Sequence, residues 1–371
     1  MDICVLNPYF YPYYGGTEKV LLQVYSRLAK KHNITVLTSN APGKAKSTDY
    51  VKGIRVVRLE SRYTNFPGLP LPYVSMPGLN EEIIKEKAEI YHINNRFQYA
   101  MSNINAIKQT RAKIAITIHN SLPQGIDFLT DSGGLIYDIM IGRRIIHSSD
   151  LITGVSKYAI ESTVPKNDRG RAHVVYNGVD SKLFRPRKRR HENIIHVLNN
   201  GRLVPQKGQE YLIKAVALLA REREIDLTII GKGPLERKLL NLAAKEGMAS
   251  RFRIISQIKE SEMPRYYNNA DVFALPSLYE PAGLALLEAM ACATPSIATQ
   301  IGGIPEVMGK CGLYVEPNSV TSIYEKLSYI VSNTHYAKKL GECARKRVIE
   351  NNNWDKIAKE YERLFSITLK N

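Results

Sequence analysis

An α/β chain of two parallel-sheet domains is what this sequence predicts, on three observations. Short β-branched runs alternate with helical periods along nearly all 371 residues. One stretch, 181–192 (SKLFRPRKRRHE), breaks the alternation with no period of its own and a proline. The length suits two domains of ordinary size, and 44% apolar residues can fill two cores.

In the first half, strands are expected at 2–6, 34–38, 54–59, 89–93, 114–119, 151–154 and 172–176. Helical patterns lie between most of them, for example at 17–31 and 134–148. In the second half, strands are expected near 194–199, 225–230, 251–255, 271–275, 295–298 and 312–315. Helices fall near 208–221, 234–246, 260–268, 283–292 and 319–332. Such alternation builds parallel sheets covered on both faces, with right-handed crossovers. Residues 335–369 read as helices alone and must pack on something already built. Domains are expected at 1–184 and 185–352, followed by a terminal helix at 353–371.

The opening MDICVLNPYF reads as a strand. It lacks the basic region of a signal peptide, and Asn7 and Pro8 end the apolar run early. No apolar run approaches the ~18 residues of a membrane span, and a cytosolic location is expected. Cys4 and Cys292 lie in apolar stretches and read as reduced core residues; the four cysteines lack metal-ligand spacing. The formal charge is 52 − 35 = +17, with 28 basic and 15 acidic residues in 1–190 against 24 and 20 in 191–371. That field suits anionic ligands, membrane phosphates or nucleic acid, and equally a merely soluble surface. Aromatics are not interleaved with Arg and Lys as on a stacking surface, which argues against nucleic acid.

Ligands of open α/β sheets bind beyond the carboxyl ends of the strands. After strand 2–6, Gly15-Gly16 precedes a helix. Its backbone would admit a phosphate, or simply make a tight turn. Tyr9, Tyr11, Tyr13 and Tyr14 beside it would wall an acceptor or pack the loop. His119 ends strand 114–119 facing the crevice, as a sugar contact or a satisfied core histidine. After strand 194–199, Arg202 and Lys207 enter the next helix, two cations suited to a diphosphate or to solvent. In PSLYEPAGLALLEAMA, the amides of Gly283 and Leu284 open a helix as an anion site. Glu280 stands before that helix, and Glu288 lies among apolar neighbours, where a carboxylate needs partners.

With GRL…KG at 201–208, Glu280-(x7)-Glu288, GGIPEV at 302–307, GGTEKV at 15–20, GVSKY at 154–158 and YNGVD at 176–180, the chain resembles the retaining glycosyltransferases of family 4 over nearly its whole length. The resemblance implies the GT-B fold: two Rossmann-like α/β domains with parallel sheets facing across a cleft. It implies that the first domain holds the acceptor, the second the nucleotide-sugar donor, and that the terminal helix crosses back onto the first. Arg202 and Lys207 would bind the diphosphate, Glu288 the ribose and Glu280 the donor sugar. Gly16 would approach the diphosphate, and His119 the transferred sugar. Ser256-Gln257-Ile258 stands where members often carry a glycine near the base, which leaves the nucleotide open.

Charge growing on the departing diphosphate would be met by fixed cations and amides. There is no Asp-x-Asp pair for Mg²⁺, so no metal or other cofactor is expected, only a UDP- or GDP-sugar as donor. The acceptor would be lipid-linked, a glycan or a small molecule. Segment 61–79, rich in aromatics, Pro and Gly, would with neighbouring cations touch a lipid-linked acceptor or an anionic membrane, at the inner face of the cell membrane, or would simply be a folded surface loop. A nucleotide-sugar epimerase and a non-catalytic sugar-nucleotide sensor are the rival readings.

Overall fold

A computed structural model describes residues 1–13, 15–65, 72–120, 128–187 and 194–371. The chain divides into two compact units, Met1–Asn177 with Trp354–Asn371, and Gly178–Asn353.

In the first unit the strands are β1 (Asp2–Leu6), β2 (Asn33–Ser39), β3 (Ser47–Val51), β4 (Ile54–Leu59), β5 (Arg62–Thr64), β6 (Tyr73–Ser75), β7 (Ile90–Ile93), β8 (Lys113–Ile118), β9 (Leu151–Gly154) and β10 (Ala172–Val174). Eight form one sheet in the order β10-β9-β8-β7-β1-β2-β4-β3. All its neighbours are parallel except β3, which lies antiparallel on β4. Lys52 and Gly53 join that pair with φ +49° and +84°, the left-handed backbone of a two-residue hairpin turn. Central strands are buried on both faces, Val5, Val36, Ile90 and Ile116 completely, so their near-continuous apolar runs follow from parallel pairing. The final helix, Trp354–Lys370, belongs to this unit. It buries Trp354, Tyr361 and Phe365, and Asp355 and Glu362 take hydrogen bonds from Arg27 (2.6 Å) and His32 (2.9 Å).

The second unit holds β11 (Ile195–Asn200), β12 (Ile225–Ile230), β13 (Phe252–Ile255), β14 (Val272–Leu275), β15 (Ser296–Thr299) and β16 (Leu313–Val315). They pair in the order β13-β12-β11-β14-β15-β16, all parallel. This is the doubly wound order, reversing between β11 and β14. In the first unit the reversal falls between β1 and β7. Each half is a Rossmann-like lobe.

The boundary differs from the expected 184/185. It falls after Asn177, because 178–184 is core of the second unit. The Val179 amide donates to the Asn352 carbonyl at 2.8 Å. Phe184 is fully buried, its ring 6.0 Å from that of Tyr267. This division also cancels the expected charge bias. The first unit carries 26 basic and 17 acidic residues, the second 26 and 18. Cys4 and Cys292 are buried free thiols. Cys311 and Cys343, which sequence spacing did not pair, form a disulfide with Cα atoms 5.3 Å apart.

Candidate functional site

In the second unit the loops after β11 and β14 leave the sheet on either side of its reversal, and they touch. Gly208 has φ +61°, and a Cβ there would lie 2.1 Å from the Pro276 carbonyl oxygen. The Leu278 amide donates to the Gln206 carbonyl at 2.7 Å. This docking places Lys207, at the end of the short turn Pro205–Lys207, against Glu280: Nζ donates to Oε2 at 2.6 Å. The other oxygen, Oε1, accepts the Gly283 amide at 3.0 Å. Burial works to raise the Glu280 carboxyl. The Lys207 ammonium, with the amides of Gly283 and Ala282, outweighs it and holds the group below its ordinary value. The motif GGIPEV closes the far side: the Gly303 amide donates to the Glu280 carbonyl at 2.9 Å. Gly302, at φ +56°, leaves no room for a Cβ beside that carbonyl.

Gly283, left-handed at φ +62°, caps the helix Leu284–Ala291. Its amide is taken by Glu280, so the expected anion-binding pair of amides at Gly283 and Leu284 is half occupied by the protein's own carboxylate. Arg202 is exposed and makes no side-chain hydrogen bond or ion pair among the described residues. Glu288 is buried, as its apolar neighbours required, and Oε2 accepts the Tyr267 hydroxyl at 2.8 Å. That hydroxyl accepts in turn from Asn200 Nδ2 at 2.8 Å. Asn200 closes β11, a position the strand-end rule would have flagged; Tyr267 carried no sequence signal. Gly231 and Gly233 also gain a role. A Cβ on either would strike the backbone of Gly201 or Leu203, so the GKG turn is built to let the 201–208 loop lie close.

In the first unit His119 lies just beyond β8, and its Nε2 is 3.0 Å from Asn94 Oδ1, just beyond β7. A carbonyl oxygen only accepts, so Nε2 carries the proton and Nδ1 is left as the acceptor. Burial pushes the His119 imidazole down to about 4. Gly15 caps the helix Gly16–Leu28. The Glu18 carboxylate stands over it, 2.2 Å from where a Cβ would be, and also accepts from Asn7 Nδ2 at 3.1 Å. A phosphate approaching Gly15 and Gly16 would meet that carboxylate. Tyr9 is buried, its ring 4.9 Å from that of Tyr13, while Tyr11 is exposed; Tyr14 lies outside the described residues.

Segment 61–79 is a paired β5–β6 ribbon in its described part, with Arg62, Thr64, Ser75 and Pro77 exposed. Val74 and Met76 are buried, and Tyr63 Oη hydrogen-bonds Ser39 and the Asn40 carbonyl. Residues 66–71, and Lys188, Arg189 and Arg190 of the basic run, lie outside the described residues. Among the described residues no helix is long and apolar enough to cross a membrane. No group of three His, Cys, Asp or Glu side chains there is placed to hold a metal.

Residues 14–183 match the family model Glycosyltransferase Family 4, and residues 180–347 match Glycosyl transferases group 1. The chain belongs to these GT-B glycosyltransferases. Its similarity to the MMP alpha-(1->4)-mannosyltransferase of Mycolicibacterium hassiacum is 35% identity over 193 residues, 50% of this chain and 46% of that one. The chain thus aligns with about half of that relative. The N-acetyl-alpha-D-glucosaminyl L-malate synthase of Bacillus anthracis is 27% identical over 96% of this chain and 94% of its own. The GDP-mannose-dependent alpha-(1-6)-phosphatidylinositol monomannoside mannosyltransferase of Mycobacterium tuberculosis is 27% identical over 94% of each. Among solved structures, sucrose-phosphate synthase from Thermosynechococcus elongatus shares the fold with a TM-score of 0.80 over 98% of each chain, at 22% identity. HepE of Anabaena, in complex with UDP-glucose, shares it at 0.77 over 98% and 99%, at 16% identity.

Proposed function

We propose that this chain transfers a hexose from a UDP- or GDP-sugar to an acceptor hydroxyl, with retention at the anomeric carbon and without a metal. The observation that carries the reading is the Lys207–Glu280 pair, held at the strand reversal of the second unit with the buried Glu288 about one turn along the helix behind it. Lys207 and the exposed Arg202 meet the β-phosphate as the bond from C1 to its oxygen breaks. Glu280 holds donor-sugar hydroxyls, and Glu288 holds the ribose. The acceptor oxygen attacks C1 from the face the diphosphate leaves, and its proton passes to the departing phosphate oxygen. His119, neutral at physiological pH, accepts a hydrogen bond from a sugar hydroxyl at Nδ1. The first unit takes the acceptor, in the cytosol. A lipid-linked glycan is favoured, since the Mycobacterium tuberculosis relative acts on phosphatidylinositol monomannoside.

A thermal-shift panel of UDP- and GDP-sugars on wild type and Glu288→Ala tests this. One nucleotide sugar should raise the wild-type Tm and lose that effect in the variant. Failure of every nucleotide sugar to bind would sink the proposal, and an isolated glycosyl-enzyme adduct would sink the same-face mechanism. Isomerised sugar nucleotide with no acceptor product would favour an epimerase.

A further inference from the structure

The first unit presents one helix face whose polarity is wrong for water. Phe128–Tyr137 continues into a π turn, Asp138–Gly142, and then Arg143–His147. One side is anchored. The Tyr137 hydroxyl donates to the carbonyls of Arg96 and Tyr99 at 2.9 and 3.0 Å. Buried Asp138 accepts from Arg96 at 2.5 Å, and Ile145 and Ile146 are fully buried. On the other side Leu135, Ile136, Ile139 and Met140 are 46%, 58%, 51% and 60% exposed, and exposed Arg143 and Arg144 follow them.

The π turn explains why the two sides stay separate. An ordinary helix repeats every 3.6 residues, and a wider turn lengthens the local repeat. Inward pairs therefore recur at 137/138, 141/142 and 145/146, and outward pairs at 135/136, 139/140 and 143/144. Single exposed apolar residues are ordinary. Four on successive turns of one face, ending in two arginines, mark an interaction surface.

We propose that this face docks on an anionic lipid bilayer. The four apolar side chains enter the interfacial layer, and Arg143 and Arg144 meet lipid phosphates. Charge argues for lipid over a second copy of the chain: outward positions 135, 136, 139, 140, 143, 144 and 147 include no carboxylate, and Asp138, which accepts from Arg143 Nε at 3.3 Å, is itself buried. The surface stands apart from the transferase reading and from segment 61–79.

Co-sedimentation with phosphatidylglycerol/phosphatidylcholine vesicles, without donor or acceptor, tests it. Wild type should pellet with anionic vesicles, and less so at higher salt. Ile139→Glu/Met140→Glu should bind at least tenfold more weakly with an unchanged melting curve; Ile136→Ser is read in its place should the double variant not fold. Arg144→Gln should bind several-fold more weakly and flatten the salt dependence. Wild type remaining in the supernatant, equal binding to neutral vesicles, or variants that pellet like wild type would each overturn the proposal. So would a wild-type dimer in sedimentation velocity that the double variant splits. Nucleotide-sugar binding, measured separately by thermal shift, reports on the transferase reading alone.

Discussion

The Lys207 ammonium lies 2.6 Å from the Glu280 carboxylate, on two loops that leave the second sheet from strands either side of its reversal. A cation and a carboxylate that are both proposed to hold the donor here neutralise each other. Both are mostly buried, with side-chain exposures of 18% and 12%. The Lys207 ammonium holds the Glu280 carboxyl below its ordinary value.

Removing one partner leaves the other poorly solvated. Lys207→Met should destabilise the protein by about 2 kcal/mol, and Lys207→Met/Glu280→Gln by less than the sum of the single changes. The sign with pH follows from the depressed Glu280 carboxyl. Its contribution is complete above the ordinary carboxylate value and is lost as pH falls below it. Urea unfolding of the four proteins at pH 7 and pH 4 checks this. Strict additivity, or a loss of stability between pH 7 and pH 4 as large in the double variant as in wild type, would count against the pairing.

Most of the frame was legible because buried parallel strands are short apolar runs, and all thirteen expected strands are present. The missing ones, β3, β5 and β6, lie at an edge or off the main sheet. Residues 47–51 (STDYV) are almost wholly exposed, so no alternation betrays them; only Lys52-Gly53 hinted at the hairpin. The helices at Leu79–Glu86, Met101–Gln109, Lys157–Thr163 and Ile304–Met308 were too short to show a period. At the site, the residue types of Lys207, Glu280 and Glu288 were readable. The Tyr267 partner of Glu288 was not, nor was the Asn94 partner of His119, since both come from distant segments. Nor could spacing show that Glu280 would occupy the Gly283 amide.

Two buried histidines predict how the first unit responds to acid. Burial lowers His119 from 6.5 to about 4, and His92 from 6.5 to about 3 with a smaller push from His119. Below pH 6.5 the unfolded chain takes up protons at both positions while the folded chain does not. Stability should therefore fall as pH drops from 6.5 towards 4, by about 1.4 kcal/mol per pH unit for each proton. His119→Gln should remove roughly half of this slope. A flat profile of unfolding free energy between pH 8 and pH 5 would contradict it.

The disulfide predicts a thiol count. Cys311 and Cys343 close a loop 32 residues apart, and Cys4 and Cys292 are buried. Protein alkylated on purification should show two free thiols after denaturation and four after reduction. Reduction should cost about 3 kcal/mol of stability. A cytosolic home would favour the dithiol, so four free thiols before any reductant would show that the pair stays open in the cell.

Tyr267 offers the most selective test of the second site. Its hydroxyl joins Asn200 to Glu288 in a chain of two 2.8 Å hydrogen bonds, and its ring packs edge-on to Phe184 and Phe273. Tyr267→Phe keeps that packing and deletes only the hydroxyl. The loss removes one hydrogen bond to a buried carboxylate, which should cost about 1–2 kcal/mol of stability. A packing role alone would end there. If the hydroxyl aims Glu288 at the ribose, the variant should also bind the nucleotide diphosphate several-fold more weakly, raising KM for the donor while leaving kcat nearly unchanged. Removing a contact shared by ground and transition states has that signature. Unchanged nucleotide affinity by calorimetry would reduce Tyr267 to a core residue, and equal affinity in Glu288→Ala would remove the ribose role from the helix altogether.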